Sequence, residues 1–469
     1  MNNLPKVIAI VALLLAGGAS IAWLSRPIEA PPSPPAADTL SSPEVTSTTS
    51  VNMVAYLSPD EYYLSRGKVI LDSSGNTKLN TLLLPELPQT QTGQYRQHAG
   101  YVGPETCQEC HQEYFDGFIE TAHYHTSSRA TRDTVKGSFA EGKNRLLTAS
   151  PSLRFEMFED DQQLFQRVVL RSSKDAADNS EQMQENVSEF PFSIVTGSGK
   201  VGQTYLYWQS DFLYQLHASY LTNLDAWVNS PGYYDGTADF ARPVLPLCLE
   251  CHTTKVDNLP DTLQYDRDSM ILGVTCEKCH GPGAEHVAFH KANPDSNDAM
   301  GIINPANLTA ERQMEVCQLC HGGMPEEILK PPFSFRPGDR LDDFYKQSDA
   351  SVLAGIHSNS QLPRMRMSKC FTESESLTCI DCHNPHAHER GQMKLFSDRC
   401  LSCHQTPDCG EFQRKGASIA DNCIDCHMPV KTMEDIVVRS GSQEFSPAMR
   451  DHYIRVLPAP QQDTSAAQN

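Results

Sequence analysis

The motif Cys-x-x-Cys-His occurs seven times in this chain of 469 residues. Two cysteines three positions apart lie on one helical turn, where both sulfurs can reach the two vinyl groups of a haem, and the following histidine can bind its iron. Zinc is the alternative, but a zinc site needs no histidine directly after the second cysteine. Since every copy has one, we predict seven covalently attached haem c groups. The attachment cysteines are Cys107, Cys110, Cys248, Cys251, Cys276, Cys279, Cys317, Cys320, Cys379, Cys382, Cys400, Cys403, Cys423 and Cys426, and the proximal iron ligands are His111, His252, His280, His321, His383, His404 and His427.

Two of the sixteen cysteines, Cys370 and Cys409, lie outside the motifs. In an oxidising compartment two spare cysteines most simply form a disulfide, which we take as the expectation. No cysteine precedes Cys107, so a lipoprotein cysteine near the N-terminus is absent.

The sixth iron ligands separate an electron carrier from an enzyme. An iron with two axial histidines only passes electrons, whereas an open sixth position can bind a substrate. The histidines outside the motifs are His98, His123, His125, His217, His286, His290, His357, His386, His388 and His452.

The order of motifs resembles the multihaem c-type cytochromes of the cytochrome c-554-like group. The resemblance runs over roughly residues 101–456, through YVGPETCQECHQEYFDGFIETAHYH, VTGSGKVGQTYLYWQSDFLYQLHASY, GVTCEKCHGPGAEHVAFH, FRPGDRLDDF and NCIDCHMPV. Many members also carry a C-terminal tetratricopeptide region; we expect this chain to be a member without one, so no partner binding through such repeats is expected. The resemblance implies distal iron ligands at His123, His286, His357, His386 and His452.

Some alternatives to this ligand set stay open. His125 could replace His123, His388 could replace His386, and His290 is a spare beside His286. The remaining two histidines have ordinary interpretations. We expect His98 to be exposed to solvent in the segment before the first motif, and His217 to be an ordinary side chain. Met365 and Met367 could ligate iron but are expected to pack as ordinary side chains.

The elements that must position these residues are short. Around the motifs, segments punctuated by Pro and Gly show little helical periodicity, whereas LRFEMFEDDQQLFQRVVL alternates about a polar turn and predicts a β-hairpin. GSGKVG fits G-x-G-x-x-G, but strand-like QTYLYWQ follows, so we interpret it as a hairpin turn rather than a dinucleotide loop. The predicted fold is a mostly irregular, short-helical multihaem cytochrome c fold with an inserted small antiparallel β region. Hydrophobic residues make up only 39% of the chain, so haems should form much of the core.

The chain is expected to divide into six parts. An apolar run near the N-terminus indicates either a secretory signal or an uncleaved membrane anchor, and both export the rest of the chain. The parts are 1–26, signal sequence or anchor; 27–100, Pro/Ser/Thr-rich linker and approach segment; 101–247, first haem and β insertion; 248–330, haems two to four; 331–456, haems five to seven; and 457–469, disordered tail.

The net charge of −20 argues against nucleic-acid binding, which needs a basic surface. We expect a periplasmic or otherwise extracytoplasmic seven-haem cytochrome, tethered to the inner membrane if its N-terminal segment is uncleaved. It would pass single electrons along closely packed, mostly bis-histidine haems to redox partner proteins. Whether it is an enzyme stays open: the alternative is a multihaem oxidoreductase acting on a small nitrogen or sulfur species at a five-coordinate haem. No Cys-x-x-Cys-Lys variant is present to mark such a site.

Overall fold

A computed structural model describes residues 81–85, 90–173, 183–348, 355–357, 359–433 and 436–457. The expected signal or anchor, most of the linker, and all but the first residue of the expected tail lie outside these described residues. Within them, no helix is both long and apolar enough to cross a membrane.

Twenty short strands and ten short α-helices make up the described elements. The strands are β1 Thr81–Leu83, β2 Ser127–Arg129, β3 Arg145–Leu147, β4 Leu153–Asp160, β5 Gln163–Ser173, β6 Met183–Pro191, β7 Ile194–Thr196, β8 Gly202–Gln209, β9 Phe212–Gln215, β10 Ala218–Leu221, β11 Ala226–Asn229, β12 Thr237–Asp239, β13 Thr253–Asn258, β14 Tyr265–Leu272, β15 Pro325–Ile328, β16 Tyr345–Gln347, β17 Val430–Thr432, β18 Val438–Ser440, β19 Gln443–Phe445 and β20 Ala448–Arg450. The helices are α1 Pro104–Phe118, α2 Pro246–His252, α3 Cys276–His280, α4 Ala284–Ala292, α5 Ala310–His321, α6 Gln361–Met365, α7 Lys369–Thr372, α8 Met393–Leu401, α9 Phe412–Lys415 and α10 Ile424–His427. Short 3₁₀ turns lie between several of them.

The predicted hairpin about EDDQQ is confirmed. Strands β4 and β5 pair antiparallel from Leu153 opposite Leu170 to Asp160 opposite Gln163. Asp161 and Gln162 turn the chain with φ of 45° and 66°, the left-handed conformation that a two-residue type I′ hairpin loop requires. This hairpin is the centre of a four-stranded sheet in the order β3-β4-β5-β6.

The second large sheet explains GSGKVG. Six strands join in the order β11-β10-β8-β7-β2, with β9 also paired to β8. Because β7 pairs antiparallel with β8, the intervening glycine-rich segment is a turn between strands, as predicted. Gly197 and Gly199 take φ of 92° and 76° there, which glycine adopts without a steric penalty.

The two sheets enclose the main side-chain core. Residues such as Phe155, Met157 and Leu164 from the first sheet pack with Tyr205 and Trp227 from the second. Full burial of side chains this large stabilises a fold by about 1.5–3 kcal/mol each. The β region therefore has an apolar core of its own.

The rest of the chain has a different construction. Beyond Cys276 the described elements are short helices and two-stranded antiparallel sheets, and the clusters of buried apolar side chains are small, as around Phe335 and Met314. Short helices joined by irregular segments are expected from the sequence, whereas the two-stranded sheets outside the β region were not predicted. Side chains alone provide little core here.

Candidate haem-iron centres

Short helices or 3₁₀ turns carry or adjoin all seven motifs. The first motif lies within α1, the second ends α2, the third is α3, and the fourth ends α5. The fifth begins at a 3₁₀ turn, Cys379–Asp381, the sixth begins at the end of α8, and the seventh begins immediately before α10. Helical spacing places the two cysteines and the histidine on one side, so the two intervening residues lie on the other.

Intervening glutamates anchor two of these helices. Glu250, between the cysteines of the second motif, is fully buried and accepts hydrogen bonds from the Phe333 amide, at 2.7 Å, and the Tyr345 hydroxyl. Glu277, in the third motif, is 2% exposed and accepts from the amides of Val102, Gly103 and Gly283, each at 2.9 Å. These bonds fix the motif helices to distant segments of the chain.

Four proximal histidines each face a histidine from outside the motifs. An iron–nitrogen bond of about 2 Å on each side, with each ring centre about 1.1 Å beyond its nitrogen, separates two axial imidazole centres by about 6.2 Å. The observed separations of 6.0–6.2 Å fit an iron between the rings, as the predicted haems require. The pairs are His111 with His286 at 6.2 Å, His321 with His123 at 6.2 Å, His280 with His386 at 6.0 Å, and His383 with His452 at 6.2 Å.

Backbone carbonyls orient several of these imidazoles. The Nδ1 atom of His280 lies 2.8 Å from the Ile303 carbonyl oxygen, and the Nδ1 atom of His286 lies 3.0 Å from the Met300 carbonyl oxygen. The Nδ1 atom of His427 lies 3.0 Å from the carbonyl oxygen of Arg455. An Nδ1 atom that donates to a carbonyl leaves Nε2 free for a metal, the usual arrangement around histidine ligands.

Desolvation lowers the pKa of two distal candidates. His123 has an exposed side chain, yet burial among surrounding protein atoms lowers its pKa to about 4. Burial lowers the pKa of His452 likewise to about 4. Both histidines are therefore neutral at pH 7, the form that binds iron.

Neighbouring cysteines relate the motifs to one another. The Cys276 thiol is the main cause of the raised pKa of Cys107, which places the first motif beside the third. Cys320 raises the pKa of Cys251 in the same way, so the second motif lies beside the fourth. Cys379 of the fifth motif is the main cause of the raised pKa of Cys317 in the fourth motif, so these two motifs also lie side by side.

Weaker interactions extend this series. Burial raises the pKa of Cys279 to about 11, and Cys320 adds to the effect, which relates the third motif to the fourth. Burial also raises the pKa of Cys400 to about 11, with contributions from Cys423 and Cys382. The motifs therefore follow one another as first, third, fourth, fifth, sixth and seventh, with the second beside the fourth.

Three proximal histidines have no such partner ring. Among the ring pairs in the described part of the chain, none includes His252, His404 or His427. The predicted distal ligand His357 accepts a hydrogen bond from the Asn359 amide at Nδ1, 3.2 Å away, and pairs with no proximal ring there. Its role stays a prediction.

The spare histidine of α4 has a supporting position. His290 lies edge-on to His286, with ring centres 4.5 Å apart, and its Nε2 lies 3.1 Å from the Asp298 carbonyl oxygen. It contacts a distal candidate rather than a proximal ring.

The expectation of an exposed His98 was wrong. The side chain is 6% exposed, its amide donates to Asp257 at 2.9 Å, and its ring lies 5.8 Å from Phe333. The approach segment lies along β13, where the Arg96 amide donates to Asn258. Proximity to a strand more than 150 residues later is invisible in the local pattern.

The predicted disulfide is also absent, because Cys370 and Cys409 are both free. Cys370 instead lies near Cys382 and Cys400, where it contributes to their raised pKa values. His217 is an ordinary buried side chain as expected, stacked at 4.4 Å on Phe155.

The expectation for Met365 holds as well. This methionine packs with Met314 and Leu362 in a small apolar cluster. Met367 is 47% exposed.

Within the described residues, which include all sixteen cysteines, no group of three or more His, Cys, Asp or Glu side chains converges as a bare metal site requires. Paired histidines beside attachment cysteines are instead the donor set of haem iron.

Comparisons to known proteins relate part of the chain to multihaem c-type cytochromes, in which haem c groups are attached covalently. Residues 223–281 match the family described as cytochrome c554 and c-prime. A similar protein is the multihaem cytochrome MtrA of Shewanella baltica (strain OS185), 25% identical over 181 residues, which are 34% of this chain and 51% of that protein. The chain thus matches about half the length of this relative. No solved structure matches the chain.

Proposed function

We propose that the chain carries seven haems and passes single electrons along them. The observation that supports this most directly is the set of four facing histidine pairs at 6.0–6.2 Å. Iron held between two histidines is saturated, so it exchanges electrons without binding substrate. In this proposal His123, His286, His386 and His452 are distal ligands of the fourth, first, third and fifth haems.

The order of the motifs supports one continuous path. Cysteines of successive motifs in this order lie close enough to shift one another's pKa, from Cys107 beside Cys276 to Cys400 beside Cys423. Since a haem is bonded directly to these sulfurs, adjacent attachment points favour adjacent haem edges. We assign the path as haems one, three, four, five, six and seven, with haem two a branch at haem four.

The ends of this path are open to partners. Cys110 in the first motif, Cys403 in the sixth and Cys426 in the seventh are exposed, whereas the cysteines of the middle motifs are at least partly covered. We propose that redox partner proteins deliver and remove electrons at these ends. The protein would work in the periplasm or a similar compartment, on the inner membrane if the N-terminal segment is an uncleaved anchor.

A second candidate function follows from the three proximal histidines that face no ring within the described residues. If His252, His404 or His427 holds an iron with an open sixth position, a small nitrogen or sulfur species could bind there and be reduced or oxidised. The protein would then be a multihaem oxidoreductase that uses the remaining haems as its electron supply.

Haem stoichiometry and spin state test both functions. A pyridine haemochrome assay should give seven haems per chain, and a count well below seven with zinc present would contradict the proposal. In the oxidised protein, EPR signals from seven low-spin haems would exclude the enzyme. A high-spin signal that changes on adding nitrite, hydroxylamine or sulfite would exclude a pure electron carrier.

Variants of α4 test the ligand assignment itself. His286→Ala should create one high-spin haem, because it removes the imidazole that faces His111. His290→Ala is the matched control on the same helix, and we expect it to stay low-spin. The assignment fails if only the control changes spin state.

A further inference from the structure

The C-terminal strap, defined as residues 450–456, contacts axial histidines at two candidate haem centres. His452, within the strap, faces His383 of the fifth motif at 6.2 Å with an interplanar angle of 25°. Three residues later, the Arg455 carbonyl oxygen lies 3.0 Å from Nδ1 of His427 in the seventh motif. The Arg455 amide also donates to the His427 carbonyl oxygen at 3.2 Å.

An ion triad centred on buried Asp451 holds the strap in place. Asp451 has no exposed surface and lies beside Arg364, which is 8% exposed. The Arg364 guanidinium donates through Nε to Oδ1 and through Nη2 to Oδ2, both at 2.8 Å. Arg455 donates to Oδ2 from within the strap at 3.0 Å. The bidentate contact between Arg364 and Asp451 fixes the relative orientation of the two side chains as well as their distance.

Further hydrogen bonds surround this triad. The Asp451 amide donates to the Pro429 carbonyl oxygen at 3.0 Å, and Asp451 Oδ1 accepts from the Tyr453 amide at 3.0 Å. Buried Ser368 donates to the His452 carbonyl oxygen at 3.2 Å and accepts from the Ile454 amide at 2.8 Å. The backbone on both sides of His452 is thus tied to Ser368, which precedes α7, while Asp451 is bound to Arg364 of α6.

We propose that Asp451, clamped by Arg364 and Arg455, is a positioning residue that holds His452 on the iron of the fifth haem and sets the imidazole orientation at the seventh. This inference rests on the proposed ligation of the fifth haem by His383 and His452. Removing one partner from a buried ion pair leaves the other charge uncompensated, so the strap should move to release the arginines into water. His452 would leave the iron with it.

Asp451→Asn in the full-length, haem-loaded protein tests the proposal. The variant keeps the side-chain shape but loses the negative charge that binds Arg364. We expect one additional high-spin haem in the oxidised EPR spectrum, binding of about one additional CO per chain after reduction, and an altered low-spin signal from the seventh haem. Asp398→Asn is the matched control, because that carboxylate pairs with exposed Lys394 away from the strap. It should leave the spectra unchanged.

His452→Ala separates the proposed ligation of the fifth haem by His452 from the proposed positioning role of Asp451. If His452→Ala creates a high-spin haem and Asp451→Asn does not, the clamp is refuted while the ligand assignment stands. If His452→Ala leaves every haem as in the unmodified protein, the proposed ligation of the fifth haem is itself wrong.

A milder variant covers the case in which Asp451→Asn protein does not mature with its full haem content. Arg364→Lys keeps a positive charge but cannot make both contacts to Asp451. We expect its high-spin fraction to grow as the sample is warmed, and addition of free imidazole to reverse it. An Arg364→Lys protein that stays low-spin at every temperature would overturn the proposal.

Discussion

Replacing Glu277 by glutamine should destabilise the protein, although Glu277 occupies one of the two variable positions of its Cys-x-x-Cys-His motif. The carboxylate accepts three amide hydrogen bonds at 2.9 Å: Val102 and Gly283 donate to Oε1, and Gly103 donates to Oε2. Val102 and Gly103 precede α1, which carries the first motif, and Gly283 follows the third. One side chain therefore holds two candidate haem centres together.

The magnitude follows from these contacts. A glutamine oxygen in the Oε1 position keeps two of the three bonds, in neutral form, but its NH₂ group then faces the Gly103 N–H. A buried donor left without a partner costs about 1–3 kcal/mol, and losing the charge weakens the other two bonds. We therefore expect a free energy of unfolding about 2–4 kcal/mol lower in Glu277→Gln.

Guanidinium denaturation of the haem-loaded protein, followed by circular dichroism in the Soret band, measures this change. The haems are covalently attached, so their loss does not complicate the transition. Glu285→Gln, an exposed glutamate in the first turn of α4, is the control and should stay within about 0.5 kcal/mol of the unmodified protein. A Glu277→Gln shift no larger than that of the control would refute the reasoning.

Three further predictions concern other parts of the molecule. Gly301→Ala should lower the unfolding free energy by about 2 kcal/mol and alter the EPR g-values of the first haem, since φ is +71° and a Cβ would lie 2.9 Å from the His286 amide nitrogen. Burial lowers the pKa of His217 from 6.5 to about 3, so the unfolded chain binds the extra proton and stability should fall as pH drops from 6.5 towards 3, by up to about 1.4 kcal/mol per pH unit. The His217→Asn variant keeps a hydrogen-bond acceptor in the side chain but cannot titrate. Its free energy of unfolding, measured by denaturation across this pH range, should therefore vary less with pH. Thiol titration of the denatured, unreduced protein should find two free thiols per chain, Cys370 and Cys409.

Each of these predictions has a result that contradicts it. Unchanged g-values in Gly301→Ala would mean that the Met300 carbonyl does not orient the distal imidazole; Gly142→Ala, at a glycine with φ of +83° and no nearby atoms, controls for backbone strain alone. Equal pH profiles for His217→Asn and the unmodified protein would remove the titration argument. Thiols that become detectable only after reduction would restore the disulfide.

Motifs that are complete within five residues were readable from the sequence, because their chemistry depends only on local spacing. The two hairpins, about Asp161 and about Gly197, were readable for the same reason. The neighbours of His98 were not, since its amide binds Asp257 across the fold. The expected disulfide between Cys370 and Cys409 rested on chemical grounds alone, because the local sequence does not show where the two cysteines lie in space.

The distal histidines could be predicted from the sequence only in part. Family resemblance pointed to His123, His286, His386 and His452, but not to the centre that each one serves. That pairing depends on tertiary structure: His286 follows the third motif in sequence yet faces His111 of the first. The Arg364–Asp451 contact has no local signal at all, because its two residues come from segments far apart in the chain.

The crossed pairing of histidines has a consequence for the unfolded chain. If each facing pair is joined through an iron, the irons close loops from His111 to His286, from His123 to His321, from His280 to His386 and from His383 to His452. Like disulfides, such cross-links restrict the denatured ensemble, and closing a loop of roughly 100 residues contributes about 4–5 kcal/mol in the chain-entropy model. Several of these loops overlap, so some segments would be restrained by two of them. Beyond the β region, stability would then come largely from these cross-links rather than from apolar burial.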